Sequence, residues 1–94
     1  MRYETGNGSV NVLRWFPKAY EGFGTRLRAA RESKGLTQPE LAELVGTAEA
    51  RISRYENGRI EPKLVMASAL ALALGLSLDE LVYGFVVKAY GSPR

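Results

Sequence analysis

The sequence contains no cysteine and no histidine. Those two absences remove thiolate nucleophiles, imidazole bases and the ordinary zinc-ligand sets, and with them the metalloenzyme and triad-hydrolase readings. Long apolar runs are missing as well. None approaches the roughly 18 consecutive residues that a membrane span needs, and Met1-Arg2-Tyr3-Glu4 lacks the apolar segment of a secretory signal. A cytoplasmic protein with no membrane association is expected. A large excess of either charge is also absent: the net charge is +3, and acidic residues are interspersed among basic ones. Such a balance permits nucleic-acid binding without requiring it, so the placement of the charges has to carry the argument. At 94 residues with 46% apolar content, the chain closes one core and has no room for two.

What the sequence does contain is punctuation. Thr5-Gly6-Asn7-Gly8-Ser9 is turn-rich, and Val10-Asn11-Val12-Leu13-Arg14-Trp15-Phe16 reads as a β-branched and aromatic strand halted by Pro17. Residues 1–21 are expected to form an N-terminal arm. From Phe23 the period becomes helical, with Phe23, Leu27 and Ala30 on one face and Arg26, Arg28, Arg31 and Glu32 among them, ending at Lys34-Gly35. Thr37-Gln38-Pro39-Glu40 has the spacing of a capping box and opens a second helix, which carries Leu41, Leu44 and Val45 inward and stops at Gly46. Thr47 is expected to cap a third helix from Ala48 to Glu56, ended by Asn57-Gly58. Pro62 is expected to open a fourth, running to Leu74 with Gly75 as its stop, and Ser77-Leu78-Asp79-Glu80 is a second capping box that starts a short fifth. The expectation is an all-α, five-helix domain over residues 22–83. The stretch from Tyr83 to Tyr90 reads as a further strand, in a tail over 84–94 suited to dimerisation.

Two short helices joined by a tight glycine turn have the shape needed to lay one helix across a DNA backbone while the next enters the major groove. The motif is Thr37-Gln38-x-x-Leu41-Ala42-x-x-x-Gly46, then Ile52-Ser53-x-x-Glu56-x-Gly58, Pro62, and Leu74-Gly75-x-Ser77-Leu78-Asp79-Glu80-Leu81. From Phe23 to Val82 the chain closely resembles the phage-repressor and Cro-like (XRE) helix-turn-helix family of DNA-binding transcriptional regulators. The resemblance places Ala42 where the second and third helices cross. It also implies a structural pair between Glu56 and a basic residue of the first helix, which spacing assigns to Arg31. Gln38 matches a position that faces a phosphate and the neighbouring recognition side chain. Ala48, Glu49, Ala50 and Arg54 match groove-facing positions, with Arg51 beside them. Asn57, Arg59 and Lys63 follow the recognition helix and would lie along the phosphates.

Each of these residues also has a reading without DNA. Arginine holds guanine bidentately, yet Arg54 is equally at home on a solvated surface; Glu49 accepts from cytosine N4 or simply favours the positive end of its helix. Ala48 and Ala50 contact a thymine methyl or permit close approach. Tyr55 shares the inner face with Ile52 and Glu56 and is assigned to packing. The fourth helix is unusual. Its core face is expected to be Leu64, Ala67, Leu70, Ala71 and Leu74, while Val65, Ala69 and Leu72 add a second apolar stripe. A helix apolar nearly all round needs cover on two sides, here from the arm or tail and from a second subunit.

Two functions from different classes fit. The first is a transcriptional repressor that binds double-stranded operator DNA as a homodimer, on a pseudo-palindromic site, and sits on the nucleoid when bound. A restriction-modification controller is a variant of it. The second is an antitoxin that regulates its own operon while its arm or tail neutralises a toxin partner. An enzyme is not expected: Ser53 and Lys63 are the residues one would recruit, and no imidazole activates the serine. No cofactor and no metal ion are expected.

Overall fold

The computed structural model describes residues 22–84. They form five helices: α1 (Phe23–Ser33), α2 (Gln38–Val45), α3 (Glu49–Glu56), α4 (Leu64–Leu74) and α5 (Leu78–Tyr83). No strand occurs among the described residues. The strands expected at residues 10–16 and 85–90, like the arm and most of the tail, lie outside them.

Local chemistry explains where the helices start and stop. Both capping boxes close. At α2 the Glu40 amide donates to Thr37 Oγ1 at 3.2 Å and the Thr37 amide donates to Glu40 Oε1 at 2.8 Å; at α5 the same exchange links Ser77 and Glu80 at 3.0 and 2.9 Å. Each satisfies two amides that a helix start otherwise leaves without partners. Pro39 sits in the first turn of α2, where no amide donor is needed. The turn between α2 and α3 is made by Gly46, whose φ of +77° is one that an L side chain adopts only at a penalty.

An added Cβ at Gly46 would meet nothing within 4 Å, so the constraint there is conformational and not steric. Gly46→Ala is therefore expected to lower stability by about 1–2 kcal/mol, the usual penalty of a left-handed residue, without abolishing the fold. Thermal denaturation of the variant measures it; a loss far above that range would mean that the turn is crowded.

Several expectations about boundaries and faces are corrected. Thr47 does not cap α3. Its amide donates back to the Ala42 carbonyl at 2.9 Å and so belongs to the end of α2, which leaves Ala48 as the extended N-cap. Alanine has no side-chain acceptor, so the first turn of α3 has no side-chain cap. Pro62 does not open α4. The N-cap is Lys63, whose carbonyl accepts from the Ala67 amide at 2.8 Å, and Pro62 stands outside the helix. Tyr83 is helical, and Gly84 beyond it takes φ +88°. Leu44 is exposed, because the inner stripe of α2 runs through Gln38, Leu41, Ala42 and Val45 and position 44 falls outside it. Leu64 is also outside the core, 70% exposed at the first turn of α4.

The core is Phe23 and Leu27 from α1, Leu41 and Ala42 from α2, Ile52 and Tyr55 from α3, Leu70, Ala71 and Leu74 from α4, and Leu81 from α5. α3 packs against α1 and α2, while α4 packs against α2 and α5. Arg26 of α1 holds α5 in place: its Nε donates to the Leu81 carbonyl at 3.0 Å and its Nη2 to the Val82 carbonyl. A cation at the negative end of a short helix is favourable on electrostatic grounds as well.

Candidate nucleic-acid interface

The geometry is built outward from one ion pair. Arg31 Nε donates to Glu56 Oε2 at 2.7 Å and Arg31 Nη2 donates to Glu56 Oε1 at 3.1 Å, the forked arrangement that suits a guanidinium and a carboxylate. The third nitrogen, Nη1, donates to the Leu36 carbonyl at 2.8 Å in the link between α1 and α2. Gln38, the first residue of α2, donates from Nε2 to Glu56 Oε1 at 3.0 Å. Four points of the motif therefore converge on one carboxylate: α1, the link, the start of α2 and the end of α3. The hydrogen bonds to Glu56 raise the Arg31 guanidinium above its already high pKa, outweighing the desolvation that lowers it. The pair expected between α1 and Glu56 is thus present, with Arg31 as its basic member.

With Ile52 and Tyr55 buried and the Glu56 carboxylate fixed, α3 has one orientation, and its opposite face is presented to solvent. That face carries Ala50, Arg51 and Arg54, all exposed, with Ala48 and Glu49 exposed at the helix start. Arg51 and Arg54 are one turn apart on the same side, and the two alanines near the entrance leave room for close approach. Arg59 and Lys63 are exposed in the segment that leaves α3.

Two expected site residues have partners within the protein. Gln38 is half-buried, and its amide nitrogen is tied to Glu56, so it braces the ion pair in addition to standing at the start of α2. Asn57 is exposed, but its amide nitrogen turns back to the Ser53 carbonyl at 2.9 Å and to Ser53 Oγ at 3.3 Å, closing the end of α3. Sequence reasoning did not find Gly24. It lies in the first turn of α1, against the backbone of Tyr55 and Glu56. The signal was an isolated glycine within a helical pattern, which marks close backbone approach.

A family model described as helix-turn-helix matches residues 27–81. The chain belongs to the helix-turn-helix family. The match is of the XRE type that the motif residues resemble. Among curated relatives, the chain is similar to the HTH-type transcriptional repressor RghR of Bacillus subtilis, at 45% identity over 73 residues, covering 74% of this chain and 54% of RghR. It is also similar to YonR, a prophage-derived HTH-type transcriptional regulator of the same organism, at 39% identity over 62 residues, covering 66% of this chain and 57% of YonR. The helix-turn-helix chain thus spans little more than half the length of these two relatives.

Among solved structures, the P22 c2 repressor protein in complex with a synthetic operator matches with a TM-score of 0.65 and 35% identity, covering 67% of this chain and 96% of that one. The restriction-modification controller protein C.AhdI from Aeromonas hydrophila matches with a TM-score of 0.63 and 37% identity, covering 69% and 97%. Among the described residues of this helix-turn-helix protein no helix is long and apolar enough to cross a membrane, and no cluster of three or more acidic side chains is placed to hold a metal ion.

Proposed function

We propose that this chain is a transcriptional repressor that reads double-stranded DNA with α3 in the major groove and acts as a homodimer on a pseudo-palindromic operator. One observation carries the reading: Ala50, Arg51 and Arg54 form an exposed face on a helix whose other side is locked by the Arg31–Glu56 pair. A rigidly held helix that projects arginines next to small residues is what base reading in the major groove requires. The likeness to a repressor solved on its operator supports it, as does the likeness to a relative named as a repressor.

Within this reading Arg54 contacts a base edge, Glu49 and Arg51 flank it, and Ala48 and Ala50 allow the approach. Gln38, Asn57 and Arg59 position the domain on phosphates. Two copies would place their α3 helices in successive major grooves, about 34–36 Å apart. The protein then works in the cytoplasm, on the nucleoid when bound.

The test is selection of binding sites from random DNA, followed by fluorescence anisotropy on the selected site as salt is varied. An enriched palindrome is expected. Arg54→Ala is expected to weaken binding to it by about 1–3 kcal/mol, roughly 10-fold to 100-fold, and to relax the preference at one position in each half-site. Arg59→Ala is expected to weaken all sequences alike and to lower the salt slope by about one unit, as the loss of a phosphate contact does. No enriched sequence, with binding that is weak at physiological salt, would reject the repressor reading in favour of a protein partner.

A further inference from the structure

α4 has no charged residue from Leu64 to Leu74 and buries one side only. Its core face is Ala67, Leu70, Ala71 and Leu74. Helical spacing puts Val65, Ser68, Ala69 and Leu72 on the opposite face. Val65 and Leu72 are 81% and 83% exposed, and Ser68 between them is exposed too. Large apolar side chains at both ends of an uncharged stripe mark a surface that another body covers.

The order of residues along the stripe indicates which body. Reading large, small, small, large, the stripe is symmetric about the midpoint between Ser68 and Ala69. We propose that this face is the seam between two copies of the chain, with α4 lying antiparallel on α4 of the second copy about a two-fold axis through that midpoint. The inference rests on the dimeric reading above and names its interface.

Under that axis Val65 of one copy meets Leu72 of the other, twice, and Ser68 meets Ala69, twice. An isologous interface must be complementary to itself, and this spacing satisfies the condition. The small pair at the crossing lets the helices approach closely, while the large pairs fill the space on either side. No ionised group of α4 has to lose water when the seam closes. The serine hydroxyl satisfies itself on the carbonyl one turn back, as helical serines do. A partner of another kind would place no such symmetry on the stripe.

Sedimentation velocity of the full chain without DNA, across the micromolar range, tests the seam, with circular dichroism melts as a check that each variant folds. The wild type is expected to dimerise. Leu72→Glu and Val65→Lys, each present twice in the interface, are each expected to weaken dimerisation by on the order of 100-fold or more. The two together in one chain are expected to recover much of that loss, because each ammonium then faces a carboxylate across the axis. A dimer that ignores the single substitutions would overturn the seam while leaving a dimeric repressor intact. A folded wild type that stays monomeric throughout would overturn it as well, and binding of a half-site, lost on Arg54→Ala, would still uphold groove reading. A double variant weaker than both singles would reject the antiparallel pairing.

Discussion

Glu56→Ala is expected to lower the unfolding free energy by about 3–5 kcal/mol, the range for removing one member of a buried ion pair. The Arg31 guanidinium is 8% exposed, and in the variant it would keep only the Leu36 carbonyl and a distant Glu32 oxygen at 3.9 Å. An arginine cannot escape this by losing its proton, since its pKa is already far above neutral and is raised further by Glu56. The sign of that shift puts its stabilisation at full strength below the arginine range, so the contribution is flat between about pH 6 and 9. For a domain with a total stability of about 5–15 kcal/mol, the loss corresponds to a drop in Tm of tens of degrees.

Denaturant unfolding of Glu56→Ala, Arg31→Met and the double variant separates the cause. Each single variant leaves an uncompensated partner and is strongly destabilised. Removing both leaves no orphan charge, so Arg31→Met with Glu56→Leu is expected to recover most of the loss. The exposed Arg28–Glu32 pair at 3.3 Å is the internal control, because its removal is worth about 0.3–0.5 kcal/mol and its effect fades in salt. A Glu56→Ala variant as stable as the wild type would mean that α3 is held by its apolar face alone.

Much of the fold was legible because helix ends are written in local chemistry. Thr37 and Ser77 with their glutamates three residues on, and the glycines that close α2 and α4, gave the elements and their order. The errors fall where local signals compete. Thr47 has the right side chain for an N-cap, but the geometry of the Gly46 turn claims its amide for α2, and the cap passes to Ala48. Leu44 and Leu64 are apolar at helical spacing and still exposed, because periodicity fixes the angle of a residue on its helix and not what lies across from it.

The candidate site divides in the same way. The exposure of Arg51 and Arg54 follows from the burial of Ile52 and Tyr55, which the spacing already implied. The engagement of Gln38 with Glu56 joins residues 18 apart in sequence and needed the assembled domain. Gly24 is the clearest case of information that a single helix does not contain.

By helix propensity alone, Gly24→Ala should stabilise α1 by about 1 kcal/mol, since alanine is the better helix former. The structure reverses the sign. A Cβ at Gly24 would lie 2.3 Å from the Glu56 carbonyl oxygen, 2.8 Å from its carbonyl carbon and 2.8 Å from the Tyr55 carbonyl oxygen. All three are backbone atoms, so no side chain can rotate away. Ordinary contact begins at 3.4 Å, so α1 and α3 would have to part by 3.4 minus 2.3, about 1 Å. That displacement acts on the two helices that carry Arg31 and Glu56, whose bonds of 2.7 and 3.1 Å do not tolerate it. The expected result is a net destabilisation of about 3 kcal/mol or more, at the upper end of what overpacking causes. Specific DNA binding should fall with it, because α3 is the element displaced. A cycle of Gly24→Ala with Glu56→Ala tests the mechanism. If the alanine acts by prying the ion pair apart, its effect shrinks once Glu56 is gone, and the two losses fall short of additivity by at least 1 kcal/mol, well above the scatter for independent sites. Full additivity would show that the clash is relieved elsewhere and that the pair survives it, while a stabilised Gly24→Ala would mean that the two helices do not touch there at all.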